Sequence, residues 1–526
     1  MADTLLQDIS QATTQSNTEN FKQSEQRLLK FIDELNQKGE EIRIWIPDTS
    51  NFGHQSTSVH IMYRLATMGV QKIRIIYVVG EHDENWEKLY ILILGLPPTP
   101  INKYLLNDKT TLYFSKFESE NEFNKVMPLG ITGGWDDNRP EGPGYFRVKD
   151  FCCLQPFLWE GVPQYKISAT NVIYTAPNQP KKNPKEWIYE TEEFPETYHM
   201  VQRGYYFSQP TLTEGDLEEF IRREGKSHKV GLIINIKAWV ESGRALLVPV
   251  YFSPERAVAE FHDLFFNLFL GINYFQKKQP SPLPVIVLVM SEPQLRGYEA
   301  LEATFNGSEV YNLSIPKETR INADLKKDSQ RYQYLKNMGY LDFLQNKVKL
   351  FKDEEVSAAE LRDAVAKYSL VQVSAIGLPK VVFDYMYGLS NLTMIFEGAG
   401  TGNLVMNLGK PFIRIRGADD ENTQTYLNMY RTDLAPTVNT PFGRYGERLA
   451  ITMETDAYKW ETLMNSSPEK LPDEFIGNFL INGNRPNTDL HHAFLQQQQF
   501  YHSIYEDKLL VALHYWLSIR SQEEEQ

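Results

Sequence analysis

Apolar positions along the chain fall into two rhythms. Some form short unbroken runs and others recur three or four residues apart, the signatures of buried strands and of one-sided helices. Ile42 to Ile46 is a run of the first kind, closed by Pro47-Asp48. The loop Thr49 to Gly53 follows, and then Val59, Ile61, Met62, Leu65 and Ala66 keep helical spacing up to a stop at Gly69. Ile73 to Val79 is the next run. Together they predict a strand–loop–helix–strand unit of about forty residues, the piece from which parallel sheets are wound. Ahead of it, Phe21, Leu28, Leu29, Phe31, Ile32 and Leu35 predict a helix over Thr18–Asn36, ended by Lys38-Gly39 and preceded by a disordered 1–16. Further strands are expected at Tyr90–Leu94 and Thr111–Phe114.

A second series begins near Lys229: a strand Val230–Ile236, a helix Pro254–Phe275, a strand Val285–Met290, a short helix after Ser291-Glu292-Pro293 and a strand Val310–Leu313. Lys317–Tyr368 reads as charged and mostly helical, and Gly377–Tyr387 as a helix. The apolar run Leu392–Phe396 then enters a loop with three glycines, Gly398, Gly400 and Gly402. An apolar helical stretch (Leu404 to Leu408), a Gly409-Lys410-Pro411 break and a second strand-like run (Phe412 to Ile415) complete the same grammar. Leu480–Ile519 is expected to hold one long final helix. The Gly/Pro/Trp/Asp-rich stretch 130–163 reads as an insertion of long loops or a hairpin. The Pro- and Lys-rich Ala176–Pro195 reads as the end of a structural unit.

The chain's 526 residues exceed one typical core. The expected layout is a terminal segment and helix (1–40), an acceptor-side α/β domain (41–225, with the 130–163 insertion), a second α/β domain (226–485) and a final helix (486–526) crossing back to the first. A content of 42% hydrophobic and 13% aromatic residues argues for a folded chain. The net charge of -14 argues against a general nucleic-acid or anionic-membrane binder. The two cysteines, Cys152 and Cys153, are adjacent, so a disulfide framework or thiolate zinc site is unsupported. No apolar run approaches the ~18–20 residues of a membrane span, and Met1–Phe21 shows no signal-peptide core. A cytoplasmic protein is the expectation, with delivery into a host cell without a classical signal as the alternative. The short Glu523-Glu524-Glu525 run prompts that alternative, although a solvated end is its commoner meaning.

The two loops carry the chemistry. In Glu397–Asn403 the glycines admit positive φ and keep side chains off the backbone amides, so an anion can rest on the helix N-terminus. Thr401 and Asn403 could add polar contacts and Glu397 could accept from a sugar hydroxyl. The other reading is a tight strand–helix turn with no ligand, because the spacing is neither G-x-G-x-x-G nor a P-loop. In the first loop His54 is the leading candidate base, since an imidazole titrates near neutrality. A helix-capping histidine is the alternative. Asp48 could orient it, rival it as base, or serve only as a turn residue. Lys237 and Arg244, read as following the first strand of the second domain, could steady departing phosphates or be ordinary exposed cations. Asp136-Asp137 and Asp419-Asp420 do not make an Asp-x-Asp, and adjacent carboxylates on extended chain diverge, so no metal is expected. Trp135, Tyr145, Phe146, Phe157 and Trp159 could grip an acceptor or seal a hairpin onto its own domain.

The run Ser390–Asn403, then Gly409-Lys410-Pro411-Phe412 and Asp419-Asp420-Glu421-Asn422-Thr423-Gln424, resembles the donor-binding segment of GT-B glycosyltransferases. The loop Asn51-Phe52-Gly53-His54 resembles their acceptor-side opening, where a Gly-His pair supplies the base in several sugar transferases. The layout is also similar to bacterial protein-arginine rhamnosyltransferases, although His54 stands where those have an aspartate. The resemblance implies two Rossmann-like α/β domains facing a cleft. It implies a metal-independent glycosyltransferase that needs no cofactor beyond its nucleotide-diphosphate sugar donor. The donor would lie on Glu397, Gly398, Gly400, Thr401, Gly402 and Asn403 with Lys237, Arg244, Asp419, Asp420 and Gln424, and the acceptor would be a protein, glycan or small molecule. A sugar-nucleotide epimerase of the same fold and a non-catalytic or toxin-type binding protein are the alternatives.

Overall fold

The computed structural model describes residues 22–47, 52–79, 84–134, 142–154, 171–175, 198–200, 206–225, 227–252, 258–292, 295–306, 309–310, 326–327, 336–352, 355–414 and, with short gaps, 473–525. The chain forms two compact units. The first spans Met1–Ser208 and takes back Gln499–Gln526, and the second contains Gln209–Glu421 and Tyr445–Gln498. Each is built on its own parallel-rich sheet, so the molecule comprises two Rossmann-like α/β domains.

The first sheet has the order β3-β4-β2-β1-β5-β6-β7-β8. Its strands are β1 (Ile42–Ile46), β2 (Lys72–Tyr77), β3 (Lys103–Leu105), β4 (Thr111–Lys116), β5 (Met127–Thr132), β6 (Val148–Leu154), β7 (Asn171–Thr175) and β8 (Tyr198–Met200). The pairs β4-β2, β2-β1, β1-β5 and β5-β6 are parallel, and the outer pairs are antiparallel. All of β1 is buried because both faces are covered. Ile42, Ile44 and Ile46 pack with Val59, Met62 and Leu65 of the helix Gly53–Thr67, and Trp45 packs on the other face with Phe146 and Phe151. The helix over 22–37 adds Leu28, Ile32 and Leu35 to that core, whereas Leu29 is exposed.

The terminal helix Lys508–Glu525 belongs to this unit and inserts Leu509, Ala512, Leu513 and Trp516 into the same core. Asp150 of β6, fully buried, accepts from the Trp516 indole at 2.6 Å and from Arg520 Nε at 2.6 Å. Asp507, also fully buried, pairs with Arg64 of the helix Gly53–Thr67. These polar locks fix the helix's register on the sheet, which apolar contact alone would not do.

The second sheet has the order β13-β14-β10-β9-β15-β16 and is parallel throughout. Its strands are β9 (Leu246–Tyr251), β10 (Val285–Val289), β13 (Val348–Leu350), β14 (Leu370–Ser374), β15 (Met394–Phe396) and β16 (Phe412–Arg414). A separate two-stranded pair, β11 (Glu309–Val310) with β12 (Lys326–Lys327), lies between β10 and β13 in the chain. Every residue of β10, β14 and β15 is buried. The helix Val258–Lys277 packs against the helix Asp473–Asn484 so closely that Gly271 faces Ile476 and Gly477 faces Tyr274.

Several expectations change. Tyr90–Leu94 is not a strand: residues 84–92 are helical, with Trp86, Leu89 and Ile93 buried at helical spacing. Val230–Ile236 lies inside the helix His228–Glu241, whose buried residues Leu232, Ile233, Ile236 and Val240 share one face. Within 130–163 the described residues include the end of β5, to Thr132, and all of β6, Val148–Leu154, both integral to the first sheet, while 135–141 and 155–163 lie outside the described residues. Over its described part Lys317–Tyr368 holds the expected helices, Leu341–Asn346 and Ala358–Lys367, with the short strand β13 between them. The long final helix is Lys508–Glu525, which begins inside Leu480–Ile519; ahead of it the helix Asp473–Asn484 ends before Arg485, which precedes Pro486 and is thereby biased away from helix. Residues 1–16, 155–163, 176–195 and 311–313 lie outside the described residues.

Candidate functional site

In both units a glycine-containing loop follows a strand at the point where the strand order reverses. In the second sheet β9 has β10 on one side and β15 on the other, so the chain leaving β9 for β10 and the chain leaving β15 for β16 run in opposite directions across the sheet. That topology opens a crevice beyond the strand ends, the usual place for a ligand in such sheets. Phe396 of β15 pairs with Tyr251 of β9, and Glu397 and Gly398 continue from there. Gly398 has φ 86°, ψ 151° and is the N-cap of the helix Ala399–Met406. A Cβ there would meet nothing within 4 Å, so this glycine is required by conformation rather than by space.

The first helical bond of that helix runs from Gly402 N to Gly398 O at 3.1 Å. The amides of residues 399–401 precede it and so have no acceptor within the helix. Gly398 offers no side-chain cap and the first turn contains no acid. Gly398 and Gly400 are exposed, Glu397 and Thr401 half-buried, and Gly402 and Asn403 buried. The arrangement is an accessible row of backbone donors at the positive end of a helix, suited to an anion. Beneath it Tyr251 stacks edge-on against Phe383 at 5.4 Å. Burial, and then the nearby Glu397 carboxylate, push the Tyr251 phenol up. Tyr387, fully buried, donates to Ile395 O at 2.8 Å and ties this aromatic floor to β15.

Lys410 braces the same unit. Its ammonium donates to Ser390 O at 2.6 Å and to Gly388 O, at the C-terminal end of the helix Lys380–Leu389, and burial pushes its pKa down to about 8. The Gly409-Lys410-Pro411 break is therefore a helix-end clamp, with Gly409 at φ 63°.

The two basic residues expected at this site are elsewhere. Lys237 lies within the helix His228–Glu241 and pairs with Glu241 at 2.6 Å, while Tyr385 donates to Glu241 at 2.6 Å. Arg244 is exposed just before β9 begins and donates to Ser242 Oγ at 2.9 Å. Since β9 and β15 are parallel, Arg244 and the Gly398 loop stand at opposite ends of one sheet. The misplacement follows from reading the Val230–Ile236 helix as the first strand, whose true place is Leu246–Tyr251. Asp419, Asp420 and Gln424 lie outside the described residues.

In the first unit the reversal falls between β1 and β5, with β2 on the far side of β1. The helix Gly53–Thr67 starts there. Its N-cap, Phe52, makes no side-chain cap, and its first turn holds no acid. His54 is half-buried in that turn. Gln55, fully buried, donates to Pro47 O at 3.2 Å and lies 3.5 Å from Asn85 Oδ1, and Asn85 donates to Val78 O at 2.8 Å. These bonds join the ends of β1 and β2. Asp48 lies outside the described residues, as do Trp135, Asp136, Asp137, Phe157 and Trp159. Phe146 is core, stacked on Phe151 at 4.8 Å, whereas Tyr145 is exposed. His60 sits away from the loop and packs edge-on against Tyr206. Among the described residues no three His, Cys, Asp or Glu side chains gather as a metal site would require.

Sequence reasoning missed Gln55, Ser58, Thr132 and the role of Gly133-Gly134 in this loop. The Gly133-Gly134 pair after a buried run is the available signal, which the sequence embeds in a Gly/Pro/Trp/Asp-rich stretch.

No family model and no curated protein matches the chain. Among solved structures it is similar to a UDP-GlcNAc 2-epimerase of Neisseria meningitidis bound to UDP-GlcNAc. That likeness has 9% identity and TM-score 0.29 over 84% of this chain and 97% of that chain. It is also similar to an Escherichia coli trehalose-6-phosphate synthase bound with UDP-2-fluoro glucose, at 8% identity and TM-score 0.24 over 84% and 97%. Likenesses this slight carry no argument about activity, and the fold stands on the two sheets themselves.

Proposed function

We propose that the protein is a metal-independent glycosyltransferase that moves a sugar from a nucleotide-diphosphate sugar to an acceptor hydroxyl or amide, with His54 as the base. The observation that carries this reading is that each unit, taken by itself, has a helix N-terminus with no side-chain cap and no first-turn acid at the reversal point of its own sheet, one glycine-rich and one bearing a histidine. On this reading the diphosphate rests on the amides of residues 399–401. As the glycosidic bond to the diphosphate breaks, the helix dipole and those amides stabilise the charge that accumulates on the leaving oxygens. Glu397, at the rim, accepts a hydroxyl of the donor. His54 takes the acceptor's proton as its oxygen or nitrogen bonds to the anomeric carbon.

The test is turnover, read as nucleoside diphosphate release from a panel of nucleotide sugars. His54→Ala should lower it about 100-fold or more, in line with the usual size of general base catalysis, and leave nucleotide affinity unchanged. Wild-type turnover in that variant would remove His54 as the base. Conversion of the sugar nucleotide with no acceptor and no diphosphate accumulating would replace transfer by epimerisation.

A further inference from the structure

We propose that the Gly133-Gly134 backbone is the seat that aims His54, and that Gly134 is a positioning residue for the imidazole; this rests on His54 being the base. Both glycines follow β5, the strand beside β1. A Cβ at Gly134 would lie 2.1 Å from His54 Cβ, 2.4 Å from its Cα and 2.6 Å from its Cγ. A Cβ at Gly133 would lie 2.6 Å from Thr57 Cγ2 and 2.8 Å from Ser58 N. Neither glycine has a positive φ, so neither is there for conformational freedom. What the pair supplies is room. At Gly134 that room is occupied by His54 itself and is not left open for a ligand.

The surrounding bonds stop either side from backing away. The Gly133 amide donates to Ser58 Oγ at 3.0 Å, and the Gly134 amide to Thr132 Oγ1 at 3.3 Å. Both hydroxyls donate to Trp45 O of β1, at 3.3 and 3.1 Å, and both side chains are fully buried. On the helix side, Ser56 N donates to Phe52 O at 2.8 Å and Thr57 Oγ1 to Gly53 O at 2.9 Å, while Gln55 holds Pro47 O. The histidine's first turn is thus pinned from below by β1 and from the side by the end of β5. A methyl group at 134 has to move His54.

The experiment uses the full-length chain with carbon-labelled histidine rings. Ten histidines give the reference spectrum, and the ring signal lost in His54→Ala identifies the one of interest. In Gly134→Ala that signal should shift or broaden while the others hold. Diphosphate release from the nucleotide-sugar panel should fall about 100-fold in kcat with KM unchanged, the size expected for a misplacement of about 1 Å. Adding Gly134→Ala to His54→Ala should cost nothing further if the glycine acts only through the histidine. Should Gly134→Ala fail to fold, Ser58→Ala removes the acceptor of the Gly133 amide without adding an atom, and should move the same signal and lower kcat. An unmoved His54 signal with wild-type kcat in either folded variant overturns the proposal, as does a further loss on the His54→Ala background. Wild-type turnover in His54→Ala would instead overturn the base assignment, while a shifted signal in Gly134→Ala would still report the seat.

Discussion

Gly398 and Gly400 sit two residues apart and serve different ends. At φ 86° Gly398 turns the chain from β15 into the helix, and any other residue there would be strained. Gly400 is exposed within the first turn, next to the amides that precede the first helical bond. Gly400 is exposed, so a side chain added there is expected to crowd an anion resting on those amides. Gly400→Val is therefore predicted to weaken nucleotide-sugar binding at least about tenfold, about 1.4 kcal/mol, with little change in stability beyond the cost of a β-branched residue in a helix. Calorimetry that finds equal affinity would remove the loop as the donor site. His54 and this loop were legible in the sequence because glycine punctuation after a buried run is a local signal. The same local signal misplaces Lys237 and Arg244, because the apolar run Val230–Ile236 reads as a strand while its buried residues follow a helical face.

Among the elements, the terminal helix depends most on particular side chains. Asp150 is fully buried and holds both Trp516 and Arg520. Asp150→Ala leaves an indole donor and a guanidinium facing a buried gap, with an expected loss of about 3 kcal/mol. This should appear as a lower denaturant midpoint for the first unit, and a loss below about 1 kcal/mol would show that apolar packing alone docks the helix. His514 of the same helix gives a pH signature. Burial, and then the charge of Arg27, push its pKa down to about 4. The unfolded chain then binds more protons than the folded one between pH 6.5 and 4. The folded pKa of this base is depressed, so stability falls as pH drops through that window. His514→Leu should flatten part of the decline between pH 6.5 and 4 in chemical melts, and an unchanged slope would contradict it. The sequence places a long final helix within Leu480–Ile519, and the helix Lys508–Glu525 begins inside that stretch; its buried partners on the sheet are contacts no local pattern reveals.

For the whole molecule, the alternation of strand and helix read from the chain predicts two parallel-sheet domains, and two are present. The ends of β1, β2, β15 and β16 fall within about two residues of expectation, as boundaries set by Pro and Gly should. Among the strands that local pattern does not reveal, two kinds are instructive. β14 carries Gln372 and Ser374 in a fully buried run, and its polarity is compensated by Gln372 donating to Tyr298 at 2.6 Å, a contact no local window reveals. β5 and β6 are hidden among glycines and aromatics, and their place in the sheet depends on pairing, of β5 with the distant β1 and of β6 with β5. The same reason kept the seat of His54 out of view. Gly134 is close to His54 because β5 lies beside β1, and strand order is a property of the whole domain.

The proposed function stands or falls with the Gly398 loop as the seat of a nucleotide-diphosphate sugar. A thermal-shift screen of the full-length chain against nucleotide sugars, run side by side on wild type and Gly400→Val, tests it most directly. At a ligand concentration of about 100 Kd, binding to the native state adds about 2.7 kcal/mol. The prediction is a rise in melting temperature with at least one nucleotide sugar for the wild type and a reduced or absent rise for Gly400→Val. No shift with any nucleotide sugar, or equal shifts in both proteins, would contradict the claim.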